Sequence, residues 1–255
     1  MGKTIVVTGK GGSGKTVISA LIIKALAESV PGTILAVDAD PNCNLDRALG
    51  VAVEQTVGSI REDMLDEITS LPGGMTKAEY LAYRTRESLV ETDQFDLIAM
   101  GRPEGPGCYC YANSILRQVV DKLAGEYDYV VVDCEAGLEH LSRRTAGRAD
   151  YLIVVVDPSV RSAETARRVV ELTASLGTPI GQTLVVANRC RNGLPPAVQK
   201  ALEQAGLQIA AEIPEDENVR ALDDAGEPLL RIAEDSPAYQ AVREIVRNSG
   251  IAQAG

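Results

Sequence analysis

Lys3-Thr4-Ile5-Val6-Val7-Thr8, followed without a break by Gly9-Lys10-Gly11-Gly12-Ser13-Gly14-Lys15-Thr16, decides the fold. An apolar β-branched run that breaks into four glycines and ends in Gly-Lys-Thr reads as a buried strand and a phosphate-cradling loop, GxxxxGK[ST]. A helix then opens near Lys15. Glycine is needed because several backbone N–H groups must turn toward one anion, at dihedrals and distances that a Cβ would block. On this reading Gly11, Gly12, Ser13, Gly14, Lys15, Thr16 and Val17 form the phosphate-binding set. Lys15 places its ammonium on the β- and γ-phosphates, and the Thr16 hydroxyl becomes a Mg²⁺ ligand. Lys10, at the second position of the loop, is a cation that an ordinary loop of this type lacks.

Outward from the loop, Val17 to Ser29 has the spacing of an amphipathic helix. A second strand, Thr33 to Val37, runs into Asp38-Ala39-Asp40-Pro41-Asn42. Acidic residues at the carboxyl end of a buried strand stand where ligands sit in parallel sheets. From Val53 to Val90 the periodicity is helical and reads as an insertion, with Thr76 and Glu79 at capping-box spacing. Strand Phe95 to Met100 leads into the Gly- and Pro-rich loop Gly101 to Tyr111, and a helix follows from Ala112 to Leu123. The remaining pattern is strand Tyr127 to Val132 with Asp133 at its end, helix Leu138 to Gly147, strand Tyr151 to Val156 and helix Ala163 to Leu176. Strand Thr183 to Ala187, ending at Asn188, helix Ala197 to Ala205, strand Leu207 to Ile213 and short helices to Arg247 complete it. Uniformly apolar strands alternating with helices predict an α/β fold, one domain over 1–247 with a mostly parallel twisted sheet covered by helices on both faces. Residues 248–255 read as a frayed tail.

Composition sets limits on partners and compartment. Apolar residues make up 45% of 255 and aromatics only 4%, with no Trp, so the core is built from Val, Ile, Leu and Ala. A formal charge of -11 disfavours a sequence-independent nucleic-acid partner, which needs a basic face. No apolar run approaches ~20 residues and the N-terminus reads directly into a strand, so we expect no membrane span and a cytoplasmic protein. Five cysteines without framework spacing read as thiols or metal ligands.

Four features at the carboxyl ends of successive strands complete a nucleotide site. Asp133 has the place of a Walker B carboxylate and opens Asp133-Cys134-Glu135-Ala136-Gly137, a switch-like segment in which Gly137 senses the γ-phosphate. Asp40 is placed to orient or deprotonate an attacking water, with Asp38 supporting it or reaching Lys10. The Asn188 amide offers the donor and acceptor that an adenine edge requires. Pro214-Glu215-Asp216 closes the same rim around the base. Taken singly, each aspartate could be a helix cap; together with the loop they predict ATP binding and hydrolysis.

The residues Lys10 to Thr16, Asp38-x-Asp40, Asp133 to Gly137, Asn188 and Pro214-x-Asp216 resemble the deviant Walker A ATPases, P-loop NTPases that include the septum-site and plasmid-partition ATPases and the nitrogenase iron protein. The resemblance implies that Lys10 reaches across a face-to-face homodimer to the partner's nucleotide, acting like an arginine finger. Dimerisation would then depend on ATP, and hydrolysis would release it.

Cys108-Tyr109-Cys110 adds a second chemistry. Two thiolates at i and i+2 leave a d-block ion two ligands short, and a nearby two-fold axis would supply the other pair. Two small buried side chains under a loop is the plainer alternative; a strained CxC disulfide is disfavoured. The segment Gly101 to Asn113, together with Glu135 to Leu141, is similar to the CooC-type accessory ATPases that insert nickel into carbon monoxide dehydrogenase, with a sibling group serving acetyl-CoA synthase. This resemblance implies Ni²⁺ or Zn²⁺ on Cys108 and Cys110 and transfer of nickel to an apo-enzyme. Cys134 departs from it, since no cysteine is expected inside the switch. Cys43, Cys134 and Cys190 read as packed residues, and the lone His140 as an ordinary hydrogen-bonding side chain. Two rivals differ in class. An iron protein-like reductase would hold an intersubunit [4Fe–4S] cluster, but its second cysteine is missing near His140. A septum-site or partition-type positioning ATPase would need a basic face or a basic amphipathic tail.

Overall fold

The structure is a computed structural model that describes residues 2–66, 74–101, 118, 120–135 and 148–252. Its centre is one sheet in the order β3-β4-β2-β5-β1-β6-β7-β8. The inner strands are β1 (Lys3–Gly9), β2 (Ile34–Ala39), β5 (Tyr129–Cys134) and β6 (Ala149–Val156). The outer strands are β3 (Val90–Glu91), β4 (Asp96–Ala99), β7 (Ile180–Cys190) and β8 (Ile209–Pro214). All pairings are parallel except β3 with β4.

Both faces of the sheet are covered, which is why the inner strands read as continuous apolar runs rather than alternating ones. Side-chain alternation divides them between two apolar layers. Ile5 and Val7 of β1 pack on one side with α1 (Lys15–Ser29), α2 (Leu45–Leu49) and α8 (Pro237–Asn248). Val6 packs on the other with α3 (Val57–Asp66), α4 (Lys77–Glu87), α5 (Val160–Ser175) and α6 (Pro196–Gln204). Helix α7 (Glu217–Ala225) and a 3-10 turn, Leu229–Arg231, link β8 to α8.

The single mostly parallel α/β domain expected from the sequence is thus the one observed, with differences at its margins. The helical insertion contains α3 and α4, and α4 begins with the expected capping box, in which the Glu79 N–H donates to Thr76 Oγ1 and the Thr76 N–H to Glu79 Oε2 at 2.8 Å. The antiparallel β3 was not expected, because two residues are too short to show a period; the turn after it is held by Thr92, whose Oγ1 accepts from the Phe95 N–H. Strand β7 runs past Asn188 to Cys190 instead of stopping there. The frayed-tail reading is corrected for residues 248–252. Lys3 Nζ donates to the carbonyls of Gly250 (2.8 Å) and Ile251 (3.3 Å), and Ile251 is fully buried, a contribution of about 2 kcal/mol. The expected helix Ala112 to Leu123 is described only at its end, and the helix Leu138 to Gly147 lies outside the described residues.

Candidate functional site

The parallel arrangement brings the carboxyl ends of β1, β2, β5, β6 and β7 to one rim, and the loop between β1 and α1 lies at its middle. Gly14 is the N-cap of α1 at φ 92, and no side chain caps the helix, so its first N–H groups point into the loop. Glycine is required at two positions here. A Cβ on Gly9 would lie 2.3 Å from the Val155 carbonyl oxygen, and one on Gly14 would lie 2.3 Å from Asn188 Nδ2. Gly14→Ala is therefore expected to cost about 1–3 kcal/mol in urea denaturation and to weaken nucleotide binding roughly tenfold or more in a fluorescence titration. Beneath the loop the hydroxyls of Ser13 and Thr8 are fully buried and, among the described residues, have no hydrogen-bond partner. Orphaned polar atoms under a ring of backbone donors suit a loop built to hold an anion.

Asp133 lies beside this loop. Its Oδ2 accepts from the Thr16 hydroxyl at 2.7 Å and its Oδ1 from Ser19 at 3.0 Å. Burial pushes the Asp133 carboxyl up to about 6, against the pull of those hydroxyls and of Lys15. Asp38 is its register neighbour across the β2–β5 ladder, and burial together with the Asp133 charge pushes it up to about 7. The Asp133 carboxylate and the Thr16 hydroxyl are hard oxygen donors of the kind a divalent cation such as Mg²⁺ takes.

Asp38 does not reach Lys10. It accepts from the backbone N–H groups of Asp40 (3.0 Å), Asn44 (2.9 Å) and Leu45 (2.9 Å), so its part is to hold the turn that carries Asp40. Asp40 itself, at the rim, accepts from the backbone and side-chain amides of Asn42. Lys10 instead pairs with Asp157, Nζ to Oδ2 at 2.9 Å on the same chain. Against the upward push of burial, hydrogen bonds from Ser159 and Lys10 hold the Asp157 carboxyl below its ordinary value. Lys15 Nζ donates to the Lys10 carbonyl at 3.3 Å.

On the other side of the loop, the buried Asn188 donates its amide to the Ser13 carbonyl at 2.9 Å. It adjoins a cavity of about 220 Å³ lined by Val17, Ile18, Pro214, Asp216 and Val219. Asp216 does structural duty as well. It caps α7 through the Asn218 N–H at 2.8 Å and accepts from the Ser236 hydroxyl (2.6 Å) and the Ala238 N–H (3.0 Å), tying β8 to α8. Arg189, next to Asn188, donates from Nη1 to the Gly12 carbonyl at 3.2 Å and stands in the left-handed region at φ 60, where an L-residue costs about 1–2 kcal/mol.

The metal-binding residues expected from the sequence, Cys108 and Cys110, lie outside the described residues, as do Gly137 and His140. Among the described residues no group of three His, Cys, Asp or Glu side chains could hold a metal ion. Burial, then the Asp38 charge, pushes the Cys43 thiol up to about 12, and burial raises Cys134 as well and Cys190 to about 11. Cys134 and Cys190 are buried, as packed residues are, and Cys43 is partly buried. Sequence reasoning missed Asp157, Ser19 and Arg189. Asp157 could have been found, since Asp157-Pro158-Ser159 follows an apolar strand just as Asp38 and Asp133 do.

The chain is similar along almost its full length to known proteins. An uncharacterized ATP-binding protein of Methanocaldococcus jannaschii is 45% identical over 94% of this chain and 96% of its own. The carbon monoxide dehydrogenase accessory protein CooC of Rhodospirillum rubrum is 30% identical, covering 87% of each chain. Among solved structures, the septum site-determining protein MinD of Pyrococcus horikoshii, complexed with Mg-ADP, superposes with a TM-score of 0.70 over the whole of both chains at 24% identity. The family model described as the CobQ/CobB/MinD/ParA nucleotide binding domain matches residues 4–229, and the chain, which carries that domain from β1 to the 3-10 turn, is a member of this family.

Proposed function

We propose that the protein is an ATPase whose nucleotide-dependent homodimer carries Ni²⁺ or Zn²⁺ as cargo and delivers nickel to an apo-enzyme of the carbon monoxide dehydrogenase or acetyl-CoA synthase kind. The observation that carries the ATPase half is the contact between Thr16 and Asp133 at the opening of an uncapped α1, 2.7 Å apart beneath the glycine loop. In this account the loop amides and Lys15 cradle the phosphates. Thr16 and Asp133 would hold Mg²⁺, which supplies charge neutralisation on the phosphate oxygens when bound. Asp40 orients a water and takes its proton as the water oxygen bonds to the γ-phosphorus and the bond to the ADP oxygen breaks. Lys10 leaves Asp157 and crosses to the partner's phosphates. Asn188, Pro214 and Asp216 frame the base.

The metal half rests on Cys108-Tyr109-Cys110 and on the similarity to the R. rubrum accessory protein across most of both chains. Each subunit gives two thiolates, and a cation with four sulfur ligands joins the pair. The likeness to a septum-site protein favours a second reading, a positioning ATPase. That reading needs a basic amphipathic face free to meet a surface, whereas α8 spends its apolar side on the core through Tyr239, Val242, Ile245 and Val246. Cys108→Ala and Cys110→Ala test the proposal. Each is expected to lose about one bound metal per dimer by elemental analysis, following the shared four-thiolate set, and full retention of metal rejects the shared site.

A further inference from the structure

The edge of the sheet next to the loop contains an irregularity that the nucleotide-binding role assigned so far does not use. Strand β7 pairs with β8 as Ala187 with Glu212 and next as Cys190 with Pro214, so β7 carries one extra residue there. This is a β-bulge, uncommon in a parallel pair, and such features re-aim side chains beside functional sites. Successive side chains on a regular strand point to opposite faces. Here Asn188 and Arg189 are consecutive, yet both reach the same loop, Asn188 at the Ser13 carbonyl (2.9 Å) and Arg189 at the Gly12 carbonyl (3.2 Å).

The residue that makes this possible is held in an unfavourable backbone conformation. Bulges that place one residue in the left-handed region normally put glycine there, and Arg189 sits at φ 60 with a full side chain. Its guanidinium extends over the loop, with Nη2 4.0 Å from where a Cβ on Gly14 would be. Arg189 also lines the base cavity together with Asn188 and Pro214. Strain kept at a site is a pointer to function when the surrounding contacts enforce it, and here both enforcing contacts are to the phosphate loop.

We propose that Arg189 is a positioning residue for adenine nucleotides, a cationic clasp that couples the base cavity to the phosphate loop. By holding the Gly12 carbonyl, the guanidinium fixes the Gly12–Ser13 peptide, whose N–H closes the loop's turn on the Lys10 carbonyl at 3.1 Å, and so keeps the loop in the shape that receives phosphate. Because the clasp acts before any bond is broken, it serves ADP and ATP alike. This inference rests on the nucleotide-binding reading above.

The test is titration of the full chain with fluorescent ADP and ATP analogues and Mg²⁺, alongside thermal unfolding, for wild type, Arg189→Gly and Arg189→Lys. Glycine suits φ 60, so Arg189→Gly is expected to unfold no lower than wild type while binding both nucleotides about tenfold more weakly, in keeping with loss of a charged hydrogen bond. Arg189→Lys, which restores a cationic donor without relieving the backbone, is expected to recover part of that affinity. If Arg189→Gly binds as tightly as wild type, or Arg189→Lys binds no better than Arg189→Gly, the clasp is rejected. If wild type itself binds neither nucleotide, the underlying reading fails instead.

Discussion

Lys10→Ala is expected to abolish ATP-dependent dimerisation while leaving ADP binding by the monomer intact, and to lower turnover roughly a thousandfold, the scale of a cation supplied in trans. The physical reason is that the Lys10 side chain turns away from the loop to an ion pair. Its Nζ lies on Asp157, 2.9 Å away on the same chain, while Lys15 opens α1, whose N-terminus no side chain caps. The Lys10 side chain of this pair is about one-third exposed at 35%, so the pair holds the lysine only modestly and a γ-phosphate on a second subunit can compete for it. Asp157→Asn should therefore shift the monomer–dimer equilibrium the other way, with dimer forming at lower ATP concentration. Size exclusion with light scattering, in ATP and then in ADP, reads both variants. An ATP dimer of Lys10→Ala indistinguishable from wild type contradicts the trans assignment.

Asp40→Asn is expected to trap the ATP-bound dimer, with hydrolysis reduced roughly a hundredfold or more, the range for loss of a general base. The turn that carries Asp40 should survive, because it is Asp38 that accepts the three backbone N–H groups organising it. Asn can also replace Asp40 in accepting from the Asn42 amides. Single-turnover release of phosphate, measured beside oligomeric state, separates failed chemistry from failed binding. Hydrolysis at the wild-type rate removes Asp40 from the mechanism.

How much of this was legible in the sequence depends on the range of the interaction. The β1 strand, the glycine loop and α1 are contiguous, and their local chemistry specifies them; uniform burial on both faces makes each inner strand readable as one apolar run. The capping box at Thr76 and Glu79 was readable for the same reason. Pairings across long sequence distances were not. Nothing in Lys10 or Asp157 alone indicates that they meet 147 residues apart. The bulge at Asn188 and Arg189 depends on how β8 aligns with β7, a tertiary matter, and it extended the strand past the Asn188 stop expected from polarity. Of the two parts open to Asp38, supporting Asp40 or reaching Lys10, its hydrogen bonds to the backbone of its own turn agree with the first and not the second. The tail is expected to fray from its terminal position, yet Ile251 finds a core site that sequence position does not reveal.

Coupling of nucleotide state to cargo metal through one dimer is open to metal analysis of anaerobically prepared protein with ATP and with ADP, read beside oligomeric state. About one Ni²⁺ or Zn²⁺ per dimer is expected in ATP, as four thiolates around one ion require, with release of that metal as the dimer parts after hydrolysis. A dimer that forms in ATP without metal, or metal held equally by monomer in ADP, would contradict it.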